Sequence, residues 1–204
     1  MKILIIQGQP DDQSFAHANA MHSYEVLRED GVEVRFVDLA IDDFDPVLRY
    51  GYRARMESQS YIQEVQQKVS WADHICFFFP VWWGAEPSVL KGLIDRAFTP
   101  GFAYKRNGPL HVQGLLQGKE ASLFLTSDDP AYFQRRYGGV VSHWKRDILG
   151  HAGIKLTKTM ILGGDRWLND EEERTDFIDR CSQEIEAMAV RDIHHSLLKE
   201  LLKK

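Results

Sequence analysis

The sequence predicts a doubly wound α/β domain in which five parallel strands form one sheet between two layers of helices. Five short apolar segments have the length and composition of buried strands, and helical segments separate them along the chain. The joints in the first strand–helix–strand unit are short, which is typical of parallel strands linked by a crossover helix. Because no repeat or linker-like break interrupts the 204 residues, we expect a single domain over 1–204.

The amino-terminal segments predict the first strand–helix–strand unit. Residues 3–6 form a continuous, mostly β-branched apolar run, which is typical of a strand buried on both faces. A helix is predicted over 14–30, with Gly31 as its stop. Residues 32–37 alternate apolar and charged side chains, and this pattern predicts the second strand.

The centre of the chain contains a turn with two adjacent tryptophans. An aromatic-rich run at 74–79 predicts the third strand, and an amphipathic segment at 87–98 predicts the helix that follows. A turn from strand to helix lies at the carboxyl edge of a parallel sheet, where α/β proteins bind ligands. Trp82 and Trp83 on this turn indicate a flat, apolar ligand, and packing in a core or an interface is the alternative interpretation.

The remaining segments continue the alternation of strands and helices. Two connections, 38–57 and 99–118, are longer than usual for a compact domain, and such loops are usually functional or packed by their own side chains. The other predicted elements are helices at 61–70 and 139–149, strands at 119–126 and 154–162, and a carboxyl-terminal helix from Asp170.

Composition argues against several functional classes. The 25 basic residues are scattered and outnumbered by 30 acidic ones, so no nucleic-acid-binding surface is predicted. No stretch approaches the roughly 20 apolar residues that cross a bilayer, and the apolar run at the amino terminus is too short for a signal peptide. Two cysteines without ligand-like spacing favour a reducing compartment, so we expect a cytoplasmic protein without a membrane span.

The common ligand-binding motifs are missing from the predicted loops. Only Gly8 follows the first strand, where a dinucleotide fingerprint needs three glycines, and no Walker A or G-x-S-x-G sequence occurs. Receiver domains of response regulators share the five-strand pattern, but they need an acceptor aspartate where this chain has Pro80, so this class is excluded. His17 and His22 do not have the spacing of helical metal ligands, so no metal site is predicted. Ser14 is either an anion ligand at the start of a helix or only its N-cap.

Several motifs together resemble the bacterial branch of the flavodoxin-like NAD(P)H:quinone oxidoreductases. The most specific pair is F-P-x-W-W-G at 79–84 with L-K-G-x-x-D-R at 90–96, and the similarity extends from the first strand to about Gly153. The resemblance implies a flavodoxin-like, doubly wound five-stranded parallel sheet in a three-layer α/β/α arrangement. The other matching segments are 8–10, 14–15, 44–46, 102–104 and 126–130.

The resemblance implies a flavin site formed by three loops. The first loop is expected to bind the phosphate end of the flavin, and the turn after the third strand is expected to bind the isoalloxazine ring. The third loop follows the fourth strand. The matching residues are Gln9, Ser14, Phe15 and Ala16 in the first loop, Pro80, Val81, Trp82, Trp83 and Gly84 in the turn, and Thr126, Ser127 and Asp128 in the third loop.

The resemblance also implies active-site tyrosines and a homodimer. Tyr132 matches an active-site tyrosine, while Phe102 and Tyr104 match residues that reach into the pocket of a partner subunit. We therefore expect Tyr132 and Tyr104 to be catalytic. Asp95 matches a position where the dimer mate contacts the cofactor, and an ordinary exposed helix face at Asp95 and Arg96 is the alternative interpretation.

Two departures from the family pattern affect the third loop. Animal members have paired glycines where this chain has Asp128 and Asp129, so the flavin contacts are expected to differ there. Their active-site histidine has no clear counterpart, and Tyr137 and His143 are the nearest residues, each with a structural or surface role as the favoured interpretation.

The implied activity is two-electron hydride transfer from NADH or NADPH to a quinone-like acceptor through a bound flavin. FMN is favoured because the chain is short after the fifth strand, and FAD remains an alternative. An electron-carrier flavodoxin is disfavoured because the chain lacks strong acidity and a Thr/Ser-rich phosphate loop. A flavin-binding regulatory subunit of a potassium-efflux transporter stays open, since some similar proteins are ancillary subunits of this kind.

Overall fold

The protein contains a five-stranded sheet and a separate two-stranded hairpin. The computed structural model describes residues 1–54, 56, 60–108, 111–136, 139–164 and 170–201. The side chains of these residues are described as far as Arg191, with the exception of Arg136. The strands are β1 (Ile3–Gln7), β2 (Val34–Asp38), β3 (His74–Pro80), β4 (Tyr104–Arg106), β5 (Val112–Gly114), β6 (Glu120–Ser127) and β7 (Lys155–Gly163).

Helices lie between the strands and follow the last of them. One of them is interrupted by a π-helical turn over Trp144–Leu149, which separates α5 from α6. The α-helices are α1 (Phe15–Glu29), α2 (Ser60–Trp71), α3 (Ser88–Ala97), α4 (Ala131–Arg136), α5 (Val140–His143), α6 (Gly150–Ala152) and α7 (Glu171–Leu201).

The order of the main sheet is β2-β1-β3-β6-β7, and every neighbouring pair is parallel. The chain moves to one side of β1 to form β2 and then crosses to the other side to form β3. The carboxyl ends of β1 and β3 therefore flank the point at which the strand order reverses, which is where open α/β sheets bind ligands. The predicted flavodoxin-like fold, with five parallel strands between two helical layers, is confirmed.

Two apolar cores lie on opposite faces of the sheet. Successive side chains of a strand point to opposite faces, so Ile3 and Ile5 enter one core while Leu4 and Ile6 enter the other. The core that contains Ile3 and Ile5 is covered by α1 and α7, whose contact includes the buried residue Phe177. All five β1 side chains are fully buried, which explains why residues 3–6 form a continuous apolar run.

The strand predictions agree with the structure to within two residues, but the elements in the connection 99–118 and the short helix α4 were not predicted, and one predicted helix is irregular. The connection 99–118 holds the antiparallel pair β4 and β5, whose three-residue strands are too short to produce a recognisable alternation. The single helix predicted at 139–149 is instead the segment α5, π-turn and α6, which ends at the left-handed Gly153 (φ +86°).

A buried histidine begins β3 at the edge of the sheet opposite the carboxyl ends. The ring of His74 is 1% exposed; its Nε2 lies 2.8 Å from Ser122 Oγ, and its Nδ1 lies 4.0 Å from a Glu120 carboxylate oxygen. Burial lowers the pKa of His74 to about 4, against the smaller opposing effect of Glu120. The folded protein therefore holds this histidine neutral at pH values where the unfolded chain protonates it.

We expect His74 to make the protein acid-sensitive. Its contribution to stability is complete above the unfolded pKa of 6.5 and declines as the pH falls toward the folded pKa of about 4. Between pH 7 and pH 5 this effect amounts to about 2 kcal/mol of unfolding free energy. Urea unfolding at both pH values should show that His74→Asn removes this difference, whereas the control His111→Asn, at an exposed position, retains it. An unchanged pH dependence in His74→Asn would contradict the prediction.

Candidate functional site

The loops that follow β1, β3 and β6 meet at the carboxyl edge of the sheet, which we call the ligand edge. Backbone hydrogen bonds connect neighbouring strand ends at this edge. The Gly8 N–H donates to the Phe78 carbonyl at 2.8 Å, and the Val81 N–H donates to the Thr126 carbonyl at 2.7 Å. The three loops that were predicted to bind a flavin are therefore brought together, in the order first, second, third across the sheet.

The first loop is shaped by the side chain of Gln7, which is fully buried at the end of β1. Its Nε2 donates to the Gln9 carbonyl at 2.9 Å, and its Oε1 accepts from the Gln9 N–H at 2.8 Å. The side-chain oxygen of Gln9 is itself buried and has no hydrogen-bond partner within the described residues. A buried amide oxygen without a donor is costly, so this atom is suited to accept a hydrogen bond from a ligand.

The start of α1 follows Gln9 in the same loop. Ser14 is the N-cap of α1, where its Oγ accepts the His17 N–H at 3.2 Å. The side chain of Ala16 is buried, and the ring of Phe15 packs 6.4 Å from that of Phe177. Because these two side chains face the protein interior, the first turn of α1 is left to present backbone N–H groups, which favour anions.

The second loop contains a four-residue turn, 82–85, which we call the tryptophan turn. It is closed by two backbone hydrogen bonds, from Trp82 N–H to Ala85 O at 2.8 Å and from Ala85 N–H to Trp82 O at 3.0 Å. Its central residues, Trp83 and Gly84, have φ angles of +52° and +74°, as a type I′ turn requires. Of the residues the structure describes, Trp83 is the only one other than glycine with positive φ.

The tryptophan turn exposes its aromatic rings. Trp83 is fully exposed and Trp82 is 44% exposed, so neither ring is buried in the core of this chain. A bulky residue with positive φ costs on the order of 1–3 kcal/mol, and such strain is concentrated at functional sites. Pro80, two residues before the turn, is buried as the last residue of β3, which anchors the turn to the sheet. The turn thus presents uncovered aromatic surface at the ligand edge.

The third loop is folded back on itself by Ser127. The Ser127 Oγ accepts the Asp129 N–H at 3.2 Å and the Gln134 Nε2 at 3.1 Å. Thr126 and Ser127 are buried, whereas the Asp128 side chain is exposed. Gln134, which is buried in α4, was not identified from the sequence, because a lone glutamine in a short helix has no distinctive pattern.

Sequence reasoning also missed a buried acid next to the tryptophan turn. Glu86 is 7% exposed, and its Oε2 accepts the Trp144 Nε1–H at 2.9 Å. The Trp144 ring is fully buried, with its centroid 4.7 Å from that of Phe77 and 4.9 Å from that of Phe79. An acid just before a helix suggests an ordinary end-of-helix charge, so only the fold shows that this carboxylate is buried.

The predicted catalytic tyrosines lie in different surroundings. Tyr104 lines a cavity of about 280 Å³ between α3 and the helical segment 140–152, and its ring meets that of His151 edge-on at 4.5 Å. The lining of this cavity includes none of the predicted flavin-binding residues. Tyr132 is 57% exposed in α4 and stacks on Phe133 at 4.5 Å. Within one subunit, the structure does not bring Tyr104 and Tyr132 into the same cavity.

Ion pairs line the same cavity. Lys91 Nζ lies 2.6 Å from an Asp95 carboxylate oxygen, and His143 Nδ1 lies 3.1 Å from Asp147. Hydrogen bonds from the Arg146 guanidinium, followed by one from His143, hold the pKa of Asp147 well below its ordinary value. His143 is therefore paired on the protein surface, and Tyr137, the other residue considered for the missing histidine, lies outside the described residues.

Arg96 does not belong to an exposed helix face. Its side chain is 5% exposed and its guanidinium donates to the Asp45 carbonyl, while its neighbour Asp95 pairs with Lys91. The interpretation of an ordinary exposed face is therefore wrong for Arg96, which holds the connection after β2 against α3. Phe102 is half-buried and packs on the larger core.

The part of the chain that the structure describes offers no metal cluster, membrane-spanning helix or reactive thiol. No group of three or more histidine, cysteine or acidic side chains there could hold a metal ion. None of the described helices is long and apolar enough to cross a membrane. Cys76 and Cys181 are both buried free thiols; burial raises the pKa of each, that of Cys181 to about 12, so neither has the character of a reactive thiolate.

The strand order and the three converging loops define a flavodoxin-like α/β protein with a ligand site at the sheet edge. The chain belongs to the Flavodoxin_2 family, described as having a flavodoxin-like fold, whose model matches residues 1–188. The resemblance seen in the sequence motifs is thereby confirmed.

Two relatives match nearly full length. An uncharacterized NAD(P)H oxidoreductase of Haemophilus influenzae is 30% identical over 98% of this chain and 99% of its own. Human ribosyldihydronicotinamide dehydrogenase [quinone] is 30% identical, and the alignment covers 92% of this chain and 91% of the relative.

Solved structures show the same fold. The crystal structure of Smu.1420 from Streptococcus mutans has a TM-score of 0.72 and 30% identity, covering 90% of this chain and 97% of that one. The NAD(P)H:quinone oxidoreductase of Methanothermobacter marburgensis also has a TM-score of 0.72, at 22% identity, with 90% and 96% coverage.

Proposed function

We propose that the protein is an NAD(P)H-dependent flavin oxidoreductase that reduces quinones or similar acceptors by two-electron transfer. The observation that carries this proposal is the strained tryptophan turn, which exposes two aromatic rings at the ligand edge. The two full-length relatives, named as an NAD(P)H oxidoreductase and as a quinone-linked dehydrogenase, support the same reaction class.

The described residues fit a flavin. The aromatic rings of Trp82 and Trp83 offer a flat apolar surface, and the buried Gln9 Oε1 lacks a donor that a ligand hydroxyl or ring N–H could supply. The first turn of α1 after Ser14 suits a phosphate group. We favour FMN over FAD, and a protein of similar fold, an FMN-dependent NADH-azoreductase from Bacillus anthracis, binds FMN in its crystal structure.

The backbone of the tryptophan turn is suited to bind the polar edge of the ring. The Trp82 N–H is used within the turn, but those of Trp83 and Gly84 donate no hydrogen bond to any described residue. Two free donors next to exposed aromatic surface would orient a flavin and stabilise negative charge on it. When bound, FMN supplies the hydride chemistry between the nicotinamide and the acceptor, while the protein binds and orients both substrates.

We also propose a cytoplasmic homodimer whose active site uses both subunits. Tyr104 and Tyr132 do not share a cavity within one chain, so a shared active site requires that they come from different copies. The cavity that contains Tyr104 and His151 would then face the acceptor pocket of the second copy. A dimeric mass by light scattering at micromolar concentration is expected; a monomeric mass would contradict this part of the proposal.

The visible absorption spectrum of the purified protein tests the central proposal. We expect the bands of oxidised flavin, bleaching on anaerobic addition of NADH or NADPH, and recovery of the bands when a quinone is added. Acid release and chromatography of the bound flavin would identify FMN or FAD. A protein that is colourless, and stays colourless after incubation with FMN and FAD, would overturn the proposed function.

A further inference from the structure

We propose that Glu86 lowers the reduction potential of the bound flavin by placing a buried negative charge beside the tryptophan turn. This inference rests on the proposed function, because it concerns the flavin expected at that turn. It adds a residue that tunes the reaction, although it belongs to none of the predicted flavin loops and was found only through its burial.

The carboxylate of Glu86 is held close to the turn. Glu86 directly follows Ala85, the residue that closes the turn, and consecutive Cα atoms lie about 3.8 Å apart. Its Oε2 accepts the Trp144 Nε1–H at 2.9 Å, and the fully buried Trp144 ring is fixed against Phe79. The donor is therefore fixed, and the carboxylate is held on Trp144 within one side-chain length of the residue that closes the turn.

The charge of Glu86 is not neutralised by a basic side chain. Among the described residues, no lysine, arginine or histidine forms an ion pair with it, and Lys91 in the following helix α3 pairs instead with Asp95 at 2.6 Å. Its hydrogen-bond partner is the neutral indole of Trp144. The carboxylate is stabilised instead by the dipole of α3, because this helix begins two residues later at Ser88 and has the positive end of its dipole there.

This arrangement has an electrostatic consequence for the flavin. Glu86 offsets the positive helix end, which would otherwise stabilise electrons added to a ring bound at the turn. A charge in a poorly solvated position also acts over a longer range than one in water. We therefore expect the charge of Glu86 to weaken the binding of reduced flavin, relative to oxidised flavin, by about tenfold. This change corresponds to a reduction potential lower by about 30 mV for a two-electron couple.

The test compares flavin-loaded wild-type protein with Glu86→Gln. The amide retains an oxygen that can accept the Trp144 N–H but removes the charge. Midpoint potentials measured by equilibrium titration against a reference dye should rise by about 30 mV, equivalent to tenfold tighter relative binding of reduced flavin. The dissociation constant of oxidised FMN should change less than twofold. Glu64→Gln, which removes an exposed acid from α2, serves as the matched control and should leave the potential unchanged.

A second variant separates charge from structure. Trp144→Phe keeps the charge of Glu86 but removes its hydrogen-bond donor, so the potential should fall or stay constant, whereas it should rise in Glu86→Gln. If both variants shift the potential in the same direction, Glu86 acts only by supporting the turn, and the proposal is wrong. Equal potentials in wild type and Glu86→Gln would also overturn it, whereas a wild-type protein that binds no flavin would overturn the proposed function itself.

Discussion

Replacing Trp144 with alanine is expected to lower the free energy of unfolding by about 3–5 kcal/mol, which is the range for removing a buried large aromatic side chain. The ring is fully buried and packs on Phe77 and Phe79, so its loss leaves a cavity between β3 and the helical segment 140–152. It also leaves the Glu86 carboxylate without its donor, which adds a cost that pure cavity formation does not include. Urea unfolding followed by far-UV circular dichroism measures the change.

Trp83→Ala provides a matched control for this experiment. Trp83 is fully exposed and has positive φ, so its removal is expected to change stability by no more than about 0.5 kcal/mol. Trp144→Phe isolates the hydrogen bond and should cost about 1–3 kcal/mol. If Trp144→Ala were as stable as Trp83→Ala, the assignment of Trp144 to the core would be wrong.

The sheet could be predicted from the sequence because its strands are buried. The run at 3–6 is apolar without alternation because β1 lies between β2 and β3 and is covered on both faces. The hairpin β4–β5 gave no comparable signal, since three-residue strands at the surface have no periodicity. The π-turn within 140–152 begins at the buried Trp144 and has no signature in local propensity, so a plain helix was the natural prediction.

The site could be predicted only in part, and for a similar reason. The tryptophan turn stands out locally, because two adjacent aromatic residues at a strand end are unusual. The burial of Glu86 and the two hydrogen bonds of Gln7 depend on residues that the fold brings together, so no short motif contains them. The positions of the flavin loops came from family resemblance, and their contacts with a flavin remain predictions.

The tryptophan turn connects stability to function. Its positive φ at Trp83 is unfavourable for a bulky residue, and an exposed ring contributes little to folding. A sequence optimised only for stability would place glycine or asparagine at this position of a type I′ turn. The exposed, strained tryptophan therefore indicates a contact with a molecule outside the chain, and binding affinity should respond to its removal more than stability does.

The combined replacement Trp82→Ala and Trp83→Ala is therefore expected to weaken FMN binding by on the order of 100-fold. A stacked aromatic side chain contributes about 1–3 kcal/mol to the binding of a flat heterocycle, and 1.4 kcal/mol corresponds to tenfold in affinity. Fluorescence titration of the flavin-free protein with FMN gives both dissociation constants, and unfolding in the absence of FMN should show little difference.

Tyr50→Ala is the appropriate control for this titration, because Tyr50 is 49% exposed and lies outside the three loops. It should bind FMN as the unmodified protein does. Unchanged affinity in the double variant would mean that neither tryptophan covers the cofactor, and the strain at Trp83 would then need a different ligand. Lost affinity together with lost stability would instead show that the rings support the turn from within, so the two measurements together decide between a ligand-binding and a structural role.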